Sequence, residues 1–191
     1  SAVAAARAAV IGGVTGTSDL EAGRLYGIRP IGTAAHSFTL LHDSEEEAFR
    51  SQIATMGTGT TLLVDTYNVE KGVELAVRVA REAGGELGAV RIDSGDLVAQ
   101  AFKVRKQLDD LGATTTKITV TSDLDEYAIA ALGAAPVDSY GVGTRLVTGS
   151  GHPTAQLVYK LVARERADGT MQGVAKKSDS KTSVGGLKVA G

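Results

Sequence analysis

Apolar positions cluster in short runs, separated by longer stretches in which apolar and polar residues mix. Runs rich in Val, Leu and Ile stand at 60–64, 88–92 and 117–121, with a shorter one at 137–140. A run without strict alternation reads as a strand covered on both faces, as in a parallel sheet. The stretches between them, 69–83, the amphipathic 97–111 and a segment closing at 132, read as helices. Before the first run, residues 1–12 form an Ala-rich helix broken by Gly12, Gly13 and Gly16. Thr17-Ser18-Asp19 then caps a short helix at 20–26, which Gly27 closes and Pro30 prevents from continuing. Residues 28–33 read as a strand, and Asp43-Ser44-Glu45-Glu46-Glu47 opens a helix with acids where the dipole favours them. In the tail, 156–164 and 170–177 read as two strands around Asp168-Gly169, a hairpin.

Alternating strands and helices define the α/β class. An open doubly wound sheet and a barrel both fit. The dinucleotide fingerprint GxGxxG, with an acid about 20 residues on, is absent. Polar clusters instead follow five successive runs, and in a barrel all such ends converge on one mouth. The expectation is therefore an incomplete or irregular (β/α) TIM-like barrel with a C-terminal β-hairpin.

The stretch Arg91-Ile92-Asp93-Ser94-Gly95-Asp96 is the densest of these clusters. Arg91 and Asp93 are two residues apart and leave the same face of a strand. Asp96 or Ser94 would cap the following helix. The other ends supply His36, Asp65, Asp123 with Asp125, and Gly141-Val142-Gly143-Thr144. So many carboxylates at one mouth call for a cation, and Mg²⁺ held by one or two of them plus substrate phosphates is the economical solution. The Gly141 to Thr144 stretch has the composition of a phosphate cradle, and equally of a Gly-rich turn. His42 and His152 read as surface and loop residues. Lys160, Lys176, Lys177 and Lys181 crowd the tail, as a solvated basic face or as one or two groups reaching towards phosphates.

Composition narrows the classes. The chain has 191 residues, no cysteine and a net charge of −2. Nothing there favours nucleic-acid binding, and there is no disulfide framework or thiolate chemistry. No apolar run approaches the roughly 20 residues that span a bilayer. No HxH or HExxH spacing points to zinc, and no GxSxG elbow to a serine hydrolase.

The ordered set of motifs resembles the nicotinate phosphoribosyltransferases, of the type II phosphoribosyltransferases. The residues carrying the resemblance are Gly16-Thr17-Ser18-Asp19 with Ala22-Gly23, Gly32-Thr33-Ala34-Ala35-His36-Ser37-Phe38, Asp65-Thr66-Tyr67, Arg91-Ile92-Asp93-Ser94-Gly95-Asp96, Ser122-Asp123-Leu124-Asp125, Tyr140-Gly141-Val142-Gly143-Thr144 and Val174-Ala175-Lys176-Lys177-Ser178. Their order matches across nearly the whole chain.

The resemblance implies an irregular α/β barrel that transfers phosphoribose from phosphoribosyl pyrophosphate to nicotinate, with Mg²⁺ as cofactor and ATP as co-substrate. It implies that His36 is the transiently phosphorylated histidine and that Asp65 and Asp93 act at the ribose or on Mg²⁺. Arg91, Asp96, Ser122, Asp123 and Lys177 are implied substrate contacts. Gly141, Gly143 and Thr144 are implied to hold the 5′-phosphate, and Thr17 and Ser18 to line the base pocket. Relatives often carry Asn where this chain has Asp19.

The family is about twice as long. The expectation is thus a single catalytic core over 1–191, a fragment without the family's N-terminal domain and C-terminal extension. The full-length protein is expected to be a cytoplasmic homodimer. The alternatives are a barrel that binds phosphoribosyl ligands without turnover, and a transferase for nicotinamide or quinolinate.

Overall fold

The computed structural model describes residues 2–149, 151–155, 157–178 and 181–188. Strands β1 (Thr61–Leu63), β2 (Ala89–Ile92), β3 (Lys117–Val120) and β4 (Ser139–Tyr140) form one parallel sheet in the order β1-β2-β3-β4. Leu62 pairs with Val90 and Val90 with Ile118, and all three side chains are fully buried. That burial is why these runs lack alternation: residues on both faces of the sheet are removed from water. Each such side chain contributes about 1.5–3 kcal/mol.

The connecting helices are α5 (Val69–Glu82), α6 (Leu97–Asp110) and α7 (Glu126–Leu132). Helix α6 turns Ala101, Val104 and Leu108 into the core, at three- and four-residue spacing. Each helix starts on a side-chain cap: Asn68 accepts from Lys71 N, Asp96 from Ala99 N and Asp125 from Ala128 N. Helix α5 lies so close to the sheet that a Cβ on Gly72 would stand 2.4 Å from the Val64 carbonyl oxygen.

Helices α1 (Ala2–Ile11), α2 (Leu20–Tyr26), α3 (His36–Leu41) and α4 (Glu45–Met56) precede the sheet. Asp19 caps α2 by accepting from Glu21 N and Ala22 N, and Gly27 ends it in the left-handed conformation. The strand expected at 28–33 does not form. Among the described residues only one bridge, Thr17 to Pro30, pairs that segment, with Ile31 N donating to Thr17 O at 2.9 Å. Pro30 has no N–H to offer a ladder, and Ile31 and Gly32, which follow it, are exposed. The segment instead feeds directly into α3, a helix that the hydrophobic pattern did not announce.

Beyond β4 come α8 (Thr144–Thr148) and two small antiparallel pairs. The first joins β5 (Ala163–Glu165) to β6 (Met171–Gly173), and the second joins β7 (Lys177–Ser178) to β8 (Lys181–Thr182). The Asp168-Gly169 turn is where it was expected, but its strands are shorter than 156–164 and 170–177, and Gln156 lies outside the described residues. The architecture is thus α/β with a parallel sheet. Among the described residues β1 and β4 are the sheet's two edges, and the sheet does not close on itself.

Candidate functional site

A parallel sheet sends every C-terminal strand end to one edge. Just past β1, Asp65 and Thr66 are fully buried, and just past β2, Ser94 is buried as well. Asp65 Oδ2 accepts from the Ser94 hydroxyl and from Asp93 N at 3.2 Å, which locks the two loops together. The side chain of Asp65 is also 3.4 Å from Lys176 Nζ. Lys176 is only 4% exposed. A charged lysine so deeply placed requires a counter-ion, and Asp65 is its partner.

His36 opens α3 over the same edge. Its Nδ1 lies 3.0 Å from Thr66 Oγ1 and its Nε2 2.8 Å from Lys176 Nζ. Asp65 Oδ1 and Asp93 Oδ2 each stand 3.7 Å from Nε2. Two carboxylates, an ammonium and an imidazole nitrogen therefore share one small volume. The expected residues His36, Asp65 and Asp93 are brought together.

Arg91 lies beside Asp93, with Nη2 3.8 Å from Oδ1. Its Nε donates to Thr121 Oγ1 at 2.9 Å, and the Thr121 hydroxyl donates to Asp93 Oδ1 at 2.6 Å. Nη1 donates to Thr33 Oγ1 and, at 3.4 Å, to the Ala34 carbonyl. Arg91 thus ties the loop before His36 to the sheet, a task suited to a planar fork with several donors.

The remaining expected residues lie as follows. Asp96 is exposed and its carboxylate caps α6. Asp123 is exposed. Ser122 is half-buried with φ of 140°, a conformation that costs a non-glycine residue about 1–3 kcal/mol. At Gly141 a Cβ would meet Thr121 Cγ2 at 2.5 Å, so glycine there protects the hydroxyl that orients Asp93. Gly143 caps α8 by its backbone, and Thr144, the first residue of that helix, is exposed. Thr17 Oγ1 accepts from Asp19 N at 3.0 Å, and Ser18 is exposed. Because Asp19 spends an oxygen on the α2 cap, Asp serves there as Asn would.

Of the two adjacent lysines it is Lys176 that enters the cluster. Lys177 is exposed, while its backbone N donates to Thr66 O at 2.9 Å. Successive side chains of an extended segment point to opposite faces, so docking Lys177's backbone on Thr66 sends Lys176 inwards.

Thr66, Thr121 and Glu45 stand in stretches that the sequence singles out, but none of the three was expected to take part in the site. Glu45, in the first turn of α4, is pushed up to about 7 by burial and by the negative charge of Asp65. Its Oε1 is buried without a hydrogen-bond partner among the described residues. The phenol of Tyr67 is raised in turn by burial and by Glu45.

Among the described residues no group of three or more His, Cys, Asp or Glu is arranged to hold a metal. Among the described residues Asp65 Oδ1 lacks a hydrogen-bond partner, and it and Asp93 Oδ2 each stand 3.7 Å from His36 Nε2. Carboxylate oxygens are the kind of donor Mg²⁺ takes, one or two at a time, with substrate oxygens and water completing its shell. No helix among the described residues is long and apolar enough to cross a membrane.

The model of the nicotinate phosphoribosyltransferase (NAPRTase) family matches residues 2–185. A nicotinate phosphoribosyltransferase of Mycobacterium tuberculosis, pncB1, is 56% identical over 198 aligned residues, which cover 100% of this chain and 42% of that protein. The nicotinate phosphoribosyltransferase of Bacillus subtilis is 41% identical over 94% of this chain and 37% of its own length. The crystal structure of nicotinate phosphoribosyltransferase from Porphyromonas gingivalis superposes with a TM-score of 0.74 at 22% identity, over 89% of this chain and 48% of that one. The chain therefore spans less than half the length of these proteins.

Proposed function

Because the chain belongs to the nicotinate phosphoribosyltransferase family, we propose that it forms the catalytic core of such an enzyme, which joins nicotinate to phosphoribose in NAD biosynthesis. The observation that carries this reading is the placement of Asp65 and Asp93 at 3.7 Å from His36 Nε2, beside the buried Lys176, at the C-terminal edge of a parallel sheet.

The reaction breaks the bond between C1 of the ribose and a pyrophosphate oxygen. The ring nitrogen of nicotinate supplies the electron pair for the new bond to C1, and pyrophosphate leaves with the old pair. Positive charge builds on the ribose on the way, and in this reading the carboxylates of Asp65 and Asp93 would stabilise it. Arg91 presents a guanidinium to the substrate carboxylate or a phosphate. Gly141, Gly143 and Thr144 would receive the 5′-phosphate, with Ser122, Asp123 and Asp96 along the same edge. Thr17 and Ser18 would line the base pocket. Asp65 and Asp93 would hold Mg²⁺, which when bound neutralises pyrophosphate charge.

In this reading ATP is a co-substrate. His36 accepts its terminal phosphoryl group, as a neutral imidazole is nucleophilic near neutral pH. The sheet is then part of an irregular (β/α) barrel, and the working protein is a cytoplasmic homodimer.

The test is incubation with phosphoribosyl pyrophosphate, γ-labelled ATP and each of nicotinate, nicotinamide and quinolinate. The expected result is nicotinate mononucleotide, with acid-labile, base-stable label on His36. Asp93→Asn should abolish product, and His36→Ala should abolish the label while leaving slow ATP-independent synthesis. Product from nicotinamide or quinolinate alone would overturn the substrate assignment, and binding of phosphoribosyl pyrophosphate without any product would favour a binding module.

A further inference from the structure

We propose that Thr121 is a positioning residue of the site: its hydroxyl relays a hydrogen bond from Arg91 to Asp93 and so fixes both side chains, and residue 141 is a glycine because the Thr121 methyl needs the room. What this does for turnover rests on the function proposed above; the relay rests on geometry alone.

Arg91 and Asp93 leave the chain on the same face, yet their direct contact is long, with Nη2 3.8 Å from Oδ1. Thr121, the residue after β3, bridges them. Arg91 Nε donates to Thr121 Oγ1 at 2.9 Å, and Oγ1 donates to Asp93 Oδ1 at 2.6 Å. The register of the sheet puts it there. Ile92 pairs with Val120, and Thr121 N donates to Ile92 O at 2.9 Å, so Asp93 and Thr121, one residue further along each strand, stand side by side. The relay runs one way. A guanidinium has donors and no acceptor, so the hydroxyl must accept from Arg91, and its single proton is left for the carboxylate. Valine has the same shape and can do neither.

The methyl of Thr121 sets the second condition. A Cβ at position 141 would stand 2.5 Å from Thr121 Cγ2, inside contact distance, but 3.5 Å from Thr121 Cβ, an ordinary contact. Among the described residues it is therefore the methyl that excludes a side chain at 141. Gly141 has no positive φ, so its backbone would accept alanine. Turning Thr121 about χ1 to relieve the clash would carry Oγ1 away from both partners, because methyl and hydroxyl share one carbon. Arg91 is also tied through Nη1 to Thr33 Oγ1 and the Ala34 carbonyl. The relay thus joins the loop at 33–34, β2 and β3 into one hydrogen-bonded unit around the Asp93 carboxylate. In the proposed reaction that carboxylate stabilises charge on the ribose, and one that is free to rotate does so less well.

The experiment follows the Arg91 Nε–H in ¹H–¹⁵N spectra of the ¹⁵N-labelled chain, with no substrate present, and measures its exchange with water. The expected result is slow exchange in the wild type and in Thr121→Ser, which keeps the hydroxyl. In Thr121→Val, which loses the acceptor, exchange should be about tenfold or more faster. Gly141→Ala should speed exchange as Thr121→Val does, but not when combined with Thr121→Ser, where no methyl stands in the way. Equal exchange in the wild type and Thr121→Val overturns the relay. Gly141→Ala that speeds exchange equally in both backgrounds overturns the role of the methyl. Amides of β2 and β3 in the same spectra check that each variant is folded. If Gly141→Ala alone does not fold, a folded double variant supports the role of the methyl and an unfolded one overturns it. In a second arm, Thr121→Val should lower kcat for nicotinate mononucleotide synthesis about tenfold or more with KM for phosphoribosyl pyrophosphate little changed, and Thr121→Ser should recover most of the loss. Turnover unchanged in Thr121→Val overturns the positioning role, whereas no turnover in the wild type counts against the proposed function and leaves the relay to be decided by the exchange data.

Discussion

Removing both members of the Asp65–Lys176 pair should cost less than the two single removals added together. Asp65 is fully buried and Lys176 is 4% exposed, with 3.4 Å between Nζ and Oδ2. Asp65→Ala deprives the Ser94 hydroxyl, Asp93 N and the Lys176 ammonium of an acceptor at once. Breaking a buried ion pair from one side costs about 3–5 kcal/mol, because the surviving charge stays buried. Lys176→Met leaves the Asp65 carboxylate with its two other donors, so its cost should fall near the lower end of that range, about 3 kcal/mol. In the double variant no charge is stranded. The pair should therefore show a coupling of about 2–3 kcal/mol, at the upper end of what contacting residues give. The assay is urea unfolding of the wild type, both single variants and the double variant at neutral pH, followed by far-UV circular dichroism. Equal denaturant slopes would license the comparison of midpoints. Costs that add to within about 0.5 kcal/mol would refute the reasoning, since that is the behaviour of independent sites.

Other outcomes follow from the same geometry. Glu45 has its ionisation raised from an ordinary 4.5 to about 7 by burial and by Asp65, so folding favours its protonated form. That contribution is present below the ordinary carboxylate value and is lost as pH rises through 7. Glu45→Gln should therefore match the wild type near pH 4 and exceed it at pH 8 by about 1–2 kcal/mol, a figure discounted for partial exposure, and urea midpoints across pH would check this. Gly72→Ala should destabilise by about 1–3 kcal/mol, because the added methyl would meet the Val64 carbonyl at 2.4 Å and push α5 off the sheet; thermal unfolding reads it. Arg91→Lys should cost about 1.5–3 kcal/mol and free the loop before His36, since one ammonium cannot reach Thr121, Thr33 and Ala34 together. Hydrogen exchange of the Ala35 and His36 amides would report the loosening.

The parallel sheet was legible because runs such as 60–64 and 88–92 have no alternation to explain away. The caps at Asp19 and Asp96 were legible too, and the same chemistry recurs where it was not singled out. Asn68, Asp96 and Asp125 each stand just before a helix and do what Asn and Asp do there. The hidden part was the division of labour within each loop. Asp65 lies three residues before the Asn68 cap and Asp93 three before Asp96, and the earlier residue of each pair is the one that turns inwards. The strand expected at 28–33 failed because the apolar pattern outweighed Pro30, whose missing N–H leaves one bridge. Thr66 and Thr121 look like ordinary strand-end threonines. Their roles come from partners 30 residues distant in sequence, His36 and Arg91 respectively. Choosing Lys176 over its neighbour required knowing which backbone pairs with Thr66. Alternation says that the two point opposite ways, without saying which one points in.

In the function proposed above, the cluster of His36, Asp65, Asp93 and Lys176 is where phosphoribosyl pyrophosphate binds. The measurement that tests it most directly is titration of the ¹³C,¹⁵N-labelled chain with that ligand and Mg²⁺, following side-chain and amide resonances. The expected result is saturable shifts centred on His36, Asp65, Asp93 and the 141–144 loop, with at least a tenfold loss of affinity, about 1.4 kcal/mol, in Lys176→Met. Saturable shifts centred elsewhere, with affinity unchanged in Lys176→Met, would contradict it.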